Sequence, residues 1–198
     1  MNLLATLGTG AIIGIVVAVV LVLLLIILVA WYISTHNKFV SLRSSVEEAF
    51  STMDVYLKKR YDLIPNLVET VKGYAKHESD VLRGVTEARA NAQAANTTAE
   101  KLQANAQLTQ ALRSFNMVME RYPELKANQN FMSLQNDLRG LEGEIANARK
   151  YYNGIVKAFN TKRETIPSSI VAKMMKLEKQ PFFEVEDAVE RQNVKVSF

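Results

Sequence analysis

The sequence predicts an all-α protein, with an N-terminal transmembrane helix followed by an up-down-up-down antiparallel four-helix bundle. Three observations predict this fold class. Only four prolines and eight glycines interrupt a chain of 198 residues. Residues 11–33 form an uncharged apolar run, which is typical of a membrane span. Beyond that run, apolar residues recur at intervals of three and four, the spacing of amphipathic helices.

The transmembrane helix is predicted from the length of the apolar run and from its aromatic end. At about 1.5 Å per residue, residues 11–33 extend over roughly 35 Å, which is enough to cross the hydrocarbon of a bilayer. Trp31 and Tyr32 lie where interfacial aromatic residues belong. A cleaved signal peptide would need a basic leader, but residues 1–10 contain no Lys or Arg. The run is therefore interpreted as an uncleaved anchor.

Charge and small residues around the span predict its orientation and a self-association face. Lys38 and Arg43 follow the span closely, which places the C-terminal domain in the cytoplasm and the N-terminus outside. Gly10, Gly14 and Ala18 are spaced to let two such helices approach each other. The alternative is that they are simply small residues near the end of an isolated span.

The first bundle helix is predicted from an apolar stripe that starts just after the span. Its residues recur at helical spacing: Phe39, Leu42, Val46, Met53 and Leu57. Residues 58–62 are polar and predict a break, after which Asp62 caps a second helix that tolerates Pro65 in its first turn. This second helix fades in residues 90–96, which are rich in Ala and Asn.

Two further helices complete the predicted bundle, which occupies residues 34–167. Thr97 and Glu100 have capping-box spacing and open a third helix, which Pro123 ends. A fourth and longest helix begins at residues 128–130 and ends before Pro167. Short connections between four amphipathic helices favour antiparallel neighbours.

Glycines inside the second and fourth predicted helices need a separate reason. Gly73 and Gly84 are eleven residues apart, as are Gly143 and Gly154, so each pair lies on one helix face. Because glycine costs about 1 kcal/mol in a helix interior, close approach of a neighbouring helix is one explanation. Local flexibility is the other.

Two connections are predicted to meet at the end of the bundle far from the membrane and to offer one exposed surface to a protein partner. A first helix of about 24 residues beyond the span would lift this surface roughly 36 Å from the bilayer. The alternative is that its residues cap helices and keep the turns soluble. The predicted partner-binding residues are Lys58, Lys59, Arg60, Asp62, Asn66, Arg121, Tyr122, Glu124 and Lys126.

Residues 168–198 form a C-terminal amphipathic segment and a tail. Lys173, Lys176 and Lys179 alternate with apolar residues, so this segment is a candidate for contact with anionic lipid headgroups. The alternative is that it folds back and closes the open end of the bundle. Residues 184–198 are acidic and then polar, and predict an extended or disordered tail.

Catalytic, metal and nucleic-acid sites are not predicted. The chain has no cysteine and two histidines, and it lacks the phosphate-loop, nucleophile-elbow and paired-histidine motifs. Its net charge of +4 is spread among nearly equal numbers of basic and acidic residues rather than concentrated on one face. No catalytic residue, cofactor or metal ligand is assigned, and nucleic acid is not expected as a partner.

Several motifs resemble one family of bacterial membrane proteins, the LemA family. These are Leu57-Lys-Lys-Arg-Tyr-Asp-Leu-Ile-Pro-Asn-Leu67, Glu120-Arg-Tyr-Pro-Glu-Leu-Lys-Ala127, Ala148-Arg-Lys-Tyr-Tyr-Asn153 and Pro181-Phe-Phe183. The resemblance covers residues 30–185 and departs at His36, where the family usually has Tyr. It implies one N-terminal span, a helical-bundle domain and no established enzymatic activity.

These observations predict a non-enzymatic scaffold or adaptor in the bacterial inner membrane. Its expected partners are the lipid bilayer, a membrane or cytoplasmic protein, and a second copy of the chain. The alternative is a membrane-surface or envelope-stress protein that acts on lipid through its basic C-terminal segment. An enzyme or enzyme subunit is a further alternative, for which the sequence offers no site.

Overall fold

The computed structural model describes residues 9–75 and 77–183, and this part of the chain consists of α-helices joined by short connections. No strand occurs in these ranges, so the predicted all-α class is confirmed. Residues 1–8 of the predicted N-terminal segment and the predicted tail, residues 184–198, lie outside the described residues. In chain order the helices are α1 Thr9–Lys72, α2 Ser79–Ala94, α3 Thr98–Met119, α4 Pro123–Lys126, α5 Gln129–Glu164 and α6 Ser168–Met174.

The described residues divide into two compact parts. The N-terminal part contains residues 9–45 and 158–179, and the central part contains residues 46–157 and 180–183. Helices α1 and α5 each contribute to both parts. The predicted boundary at residue 33 is not marked by any break, because α1 continues through it.

The predicted break at residues 58–62 is wrong, because α1 continues as one helix to Lys72. Pro65 therefore lies inside the helix rather than in a first turn. A proline has no N–H to donate to the carbonyl four residues earlier, here that of Tyr61. The Nε of Arg89 on α2 donates to this carbonyl at 2.7 Å and replaces the missing bond. A bond from a neighbouring helix thus compensates for a residue that normally breaks one.

The chain reverses after α1 at residues 73–78, later than predicted, and the second helix therefore starts at Ser79 instead of Asp62. The third helix agrees with the prediction, because the Thr97 hydroxyl accepts from the Glu100 backbone and the Glu100 carboxylate accepts from the Thr97 backbone. Pro123 opens the short α4 after α3 has ended. The Asn128 side chain accepts from the Phe131 N–H at 3.0 Å and caps α5.

The core of the central part contains most of the predicted apolar stripes. Phe50 of α1 contacts Tyr152 of α5 edge to face, with ring centroids 5.9 Å apart. Lys101 of α3 pairs with Asp54 of α1 at 2.8 Å. The buried apolar side chains of this part include Met53, Leu57, Ile64, Leu67, Val71, Val85, Leu108, Leu112, Phe115, Met119, Leu125, Phe131, Ile145 and Val156. These residues hold the helices together by excluding water.

No other helix of the chain packs closely against the glycines inside the helices, so close helix approach is the wrong explanation for them. A Cβ atom built at Gly84, Gly143 or Gly154 would meet no heavy atom within 4 Å. Gly143 and Gly154 both lie within α5 and face solvent.

Replacing Gly143 or Gly154 with alanine is expected to raise the free energy of unfolding by about 0.5–1 kcal/mol each. The added methyl group clashes with nothing, while the unfolded chain loses backbone freedom. Urea denaturation of the full chain in detergent, followed by far-UV circular dichroism, measures the change. Lower stability in both variants would mean that these positions contact something that the single chain does not contain.

Helix α6 folds back on the end of α5 within the N-terminal part. The Ser168 hydroxyl lies 2.7 Å from the Lys162 carbonyl, and the Arg163 Nε donates to the Leu177 carbonyl at 2.8 Å. Lys176 has a φ of 51° just after α6, where the N–H of Leu177 reaches the Ala172 carbonyl. This left-handed turn ends the helix. The alternative in which residues 168–183 fold back onto the helices is therefore the observed one.

Candidate interaction surfaces

The structure corrects one predicted partner-binding residue, Arg60, which is 1% exposed. Lys58, Lys59, Asp62 and Asn66 are exposed, but they lie along α1 rather than in a turn at its end. The two connections that do meet are residues 73–78 and 121–128. Arg121, Glu124 and Lys126 are exposed there, and Tyr122 is half-buried. Their binding to a partner stays a prediction.

The Arg60 guanidinium joins three helices of the central part. Nη2 donates to Asn105 Oδ1 at 2.7 Å, and Nη1 lies 3.1 Å from Thr109 Oγ1, both on α3. Nη1 also pairs with Glu142 Oε1 of α5 at 2.9 Å. Asn105 is itself fully buried and donates from Nδ2 to the Lys101 carbonyl at 2.8 Å. We call these four residues, Arg60, Asn105, Thr109 and Glu142, the Arg60 network.

Sequence reasoning missed this network because Arg60 belongs to a run of three basic residues that looks like a solvated turn. One signal could have revealed it. Arg60 falls three residues after Leu57 and four before Ile64, so it occupies a position in the apolar stripe of α1. Among the described residues, Arg60 Nε and the neighbouring Tyr61 hydroxyl lack a hydrogen-bond partner. Burial raises the pKa of Tyr61 above its ordinary value.

Side chains from the connections 73–78 and 121–128 hold each other at one end of the central part. The Tyr122 hydroxyl donates to Glu78 Oε1 at 3.1 Å, and Arg121 lies 3.7 Å from the same carboxylate oxygen. Asn128 Nδ2 donates to the Tyr74 hydroxyl at 3.0 Å. We call these five residues, Tyr74, Glu78, Arg121, Tyr122 and Asn128, the helix-end cluster. Partial burial and the Glu78 carboxylate raise the pKa of Tyr122.

A groove of about 670 Å³ lies between α1 and α2 near the helix-end cluster. Its floor contains the apolar side chains of Ile64, Val68 and Leu82. Its rims carry both charge signs, from Glu69, Lys72, Arg83, Glu87 and Arg89. Several of these charges pair locally, as Lys72 does with Glu69 and Arg83 with Asp80. The groove is thus an apolar surface beside the cluster, with a rim of mixed charge.

The end of the described chain is fixed to α5 in the central part. The Tyr152 hydroxyl donates to the Pro181 carbonyl at 2.8 Å. Asn153 binds Phe183 twice, through its Oδ1 to the Phe183 N–H at 2.8 Å and its Nδ2 to the Phe183 carbonyl at 3.0 Å. The Arg149 guanidinium lies 5.8 Å from the centre of the Phe183 ring. The late Pro181-Phe-Phe183 motif therefore has a structural role.

Unfolding at alkaline pH is expected to depend on Tyr152. Burial raises the pKa of its phenol to about 12, from an ordinary value of 10.0. Between these values the unfolded chain loses the proton while the folded chain keeps it, so stability falls by up to about 1.4 kcal/mol per pH unit. Below pH 10 this contribution is fully present. Urea titrations at successive pH values should show a shallower decline in Tyr152→Phe, and equal declines would contradict the assignment.

The predicted membrane residues lie on exposed helix surfaces. Gly10, Gly14 and Ala18 are exposed on α1, and their role in self-association stays a prediction. One described helix, α1, contains an 18-residue window apolar enough to cross a membrane, and none of that window is buried. Lys173, Lys176 and Lys179 are exposed, with Lys179 Nζ 4.0 Å from Glu164.

Among residues 9–75 and 77–183, no group of three or more His, Asp or Glu side chains could hold a metal ion. The carboxylates of the described helices instead pair with basic residues or cap helices, as Asp54 and Glu100 do.

Known proteins are similar to this chain over most of its length. The family model described as LemA family matches residues 49–198. A curated relative, Protein LemA of Metamycoplasma hominis, is 24% identical over 169 residues, which cover 84% of this chain and 76% of that protein. The matched region contains the Arg60 network, the helix-end cluster and the Pro181-Phe-Phe183 anchor. The chain belongs to the LemA family.

Proposed function

We propose that this protein is a non-enzymatic, membrane-anchored scaffold or adaptor that binds a protein partner at the helix-end cluster. The observation that carries the proposal is the cluster itself. Two connections more than 40 residues apart are held in one arrangement by three side-chain contacts, with separations of 44 residues for Tyr122 to Glu78 and 54 for Asn128 to Tyr74. Such contacts reduce the conformational entropy that a partner would otherwise have to overcome.

The residue types in the cluster support binding to protein. Tyrosine and arginine are enriched among residues that dominate the energy of protein interfaces. Tyr74 is exposed, Arg121 is exposed, and the adjacent Glu124 and Lys126 offer charges of both signs. We infer that the partner presents a protein surface of mixed charge with room for an aromatic side chain.

Contacts in the central part support a four-helix, up-down-up-down bundle as the scaffold. Asp54 of α1 pairs with Lys101 of α3, and Arg60, further along α1, binds Asn105, further along α3. Contacts that advance in the same direction on both helices are the pattern of parallel helices. Phe50 of α1 contacts Tyr152 of α5, and Arg60, further along α1, pairs with Glu142, which comes earlier in α5. Contacts that run in opposite directions on two helices are the antiparallel pattern. Because α2 connects α1 to α3, it must run opposite to both.

The apolar part of α1 supports the anchor, and nearby charges support its orientation. The N-terminal part contains Lys38 and Arg43 on α1. It also contains basic residues of α5 and α6, which are far from the span in sequence but belong to the same compact part. Positive charge beside one end of a span favours the cytoplasmic side for that end. We therefore propose that the helical domain lies in the cytoplasm and the N-terminus outside the inner membrane.

Site-specific photocrosslinking in intact membranes tests the adaptor proposal. A benzophenone amino acid replaces Tyr74 in the cluster, and in a matched control it replaces Tyr151, an exposed tyrosine on α5. The expected result is one defined protein adduct at position 74 and none at position 151. Reversing two charges, Arg121→Glu with Lys126→Glu, should reduce the adduct because the partner contacts this surface.

The same experiment can contradict the proposal. Equal adducts at positions 74 and 151 would show that the cluster has no preference for a partner. An adduct at position 74 that is unchanged by the charge reversals would show contact without recognition by these residues. Either outcome removes the helix-end cluster as the binding site.

A further inference from the structure

We infer that α6 lies on the bilayer beside the span, with an apolar stripe in the headgroup region and its lysines on anionic lipid phosphates. This inference rests on the proposed anchoring of α1. The stripe consists of two large apolar side chains of α6, Ile170 and Met174, and Ile166 lies in the turn just before α6. Ile166 is 81% exposed, Ile170 is 56% exposed and Met174 is 64% exposed. Residues spaced by four share one helix face, so Ile170 and Met174 lie on the same face of α6.

The opposite face of α6 is already occupied by the protein. Ser168, Val171 and Ala172 are buried, and α6 is bonded to the end of α5 through Ser168. The exposed stripe is therefore not a misplaced core face. A fold that buries one side of a short helix, leaves two large apolar residues together on the other side and exposes Ile166 in the preceding turn needs something to cover these side chains.

The position of α6 relative to the span identifies the bilayer as the cover. Phe39 of α1 contacts Phe159 of α5 edge to face, with ring centroids 6.1 Å apart, and the Lys162 ammonium lies 5.8 Å from the Phe39 ring. Phe39 is six residues beyond the last apolar residue of the span, Ile33, or about 9 Å along the helix. The end of α5 is thus held close to the level where the hydrocarbon ends.

Burial on α1 extends this contact toward the span. Thr35 is buried, whereas the apolar residues up to Val29 are exposed. The N-terminal part consists of residues 9–45 and 158–179 as far as it is described. Thr35, two residues beyond Ile33, thus belongs to the same compact part as residues 158–179. The start of α6, four residues after Glu164, lies in this same segment.

The charges around the stripe fit a surface of anionic lipid. Lys173, Lys176 and Lys179 are exposed around the end of α6, with Glu178 as the acidic residue among them. Lysine side chains near a bilayer place their aliphatic part beside apolar groups and their ammonium group among phosphates. An apolar stripe flanked by lysines is the pattern of a helix that lies in the interface plane.

Fluorescent probes at three positions test the inference in the full chain. The sequence has no cysteine, so the single-cysteine variants Ile170→Cys, Val22→Cys and Met117→Cys can each be labelled with the fluorophore NBD. Val22 lies in the apolar run, and Met117 is an exposed apolar control on α3. The chain is reconstituted in vesicles with equal amounts of phosphatidylglycerol and phosphatidylcholine, with and without quencher-labelled lipid. Far-UV circular dichroism confirms that each variant is folded.

The expected result is strong quenching at positions 22 and 170, with about twofold or more greater quenching at 170 than at 117. Quenching at 22 but equal values at 170 and 117 would overturn the contact of α6 with lipid and leave the anchor intact. No quenching at 22 would overturn the anchor itself.

Charge reversal tests the role of the lysines separately. In Lys173→Glu/Lys176→Glu/Lys179→Glu, quenching at position 170 is expected to fall by about half or more in anionic vesicles, and much less in phosphatidylcholine alone. Equal quenching before and after reversal in anionic vesicles would show that the lysines do not bind lipid phosphates and would overturn that part of the inference.

Discussion

Replacing Arg60 with leucine is expected to lower the free energy of unfolding by about 3 kcal/mol, because it leaves the buried Asn105 carbonyl and the partly exposed Glu142 carboxylate without their donor. Asn105 Oδ1 loses its bond from Nη2, and Glu142 Oε1 loses its ion pair. Glu142→Leu is expected to cost a similar amount, since it leaves the Arg60 charge buried without a counterion. Urea denaturation of the full chain in detergent measures both effects.

The double variant distinguishes an interacting network from two independent sites. In Arg60→Leu/Glu142→Leu, the buried charge and its partner are removed together, so the loss should be smaller than the sum of the single losses. Arg139→Leu on α5 is the control, because Arg139 is exposed and donates to Gln135 of its own helix at 3.4 Å. A change in Arg60→Leu within about 0.5 kcal/mol, the usual range for surface positions, would contradict a stabilising role for the network.

Replacing Pro65 with alanine is expected to raise the free energy of unfolding by about 1 kcal/mol, because the Arg89 bond already offsets part of what the proline costs the helix. Proline costs about 3 kcal/mol inside a helix. Alanine recovers less than this, because it also gives the unfolded chain more conformational freedom, which favours unfolding. In the variant, the new N–H at position 65 can donate to the Tyr61 carbonyl, as in a regular helix. Thermal or urea unfolding of the full chain in detergent measures the change.

The contact with Arg89 predicts how this stabilisation couples to α2. Arg89→Met should cost about 1–2 kcal/mol when Pro65 is present, since the Tyr61 carbonyl then loses the donor at 2.7 Å. It should cost less when alanine occupies position 65, because the helix itself supplies a donor. Arg83→Met is the matched control on α2, because Arg83 pairs with exposed acidic residues of its own helix. Equal costs of Arg89→Met in both backgrounds would show that Arg89 does not compensate for the proline.

Local signals in the sequence were sufficient for the all-α class and for several helix limits. The capping box at Thr97 and Glu100 fixed the start of α3, because both bonds form within four residues and need no tertiary contact. The candidate membrane span followed from composition alone. In the stripe predicted for the first bundle helix, Phe39, Val46, Met53 and Leu57 are buried, because periodicity reports the face that a helix buries.

The sequence misled where a tertiary contact outweighed a local preference. Pro65 and a polar run indicated a break at residues 58–62, but Arg89 satisfies the freed carbonyl and the Arg60 network buries the charge. Both partners come from other helices, so no local window contains them. The same error placed the predicted turn at residues 58–62, whereas the chain turns after Lys72. The exposed stripe on α6 was also hidden, because spacing shows that residues share a face but not which face the fold covers.

The Arg60 network also determines when this protein can finish folding during its synthesis. Arg60 and Glu142 are 82 residues apart. At about 5–20 residues per second, a ribosome needs roughly 4–16 s to make the chain between them. Throughout that interval α1 has been translated while its stripe, including the charged guanidinium, has no complete set of partners. Until α5 emerges, the apolar stripe of α1 therefore stays unshielded, and this interval is the period in which chaperones would be needed.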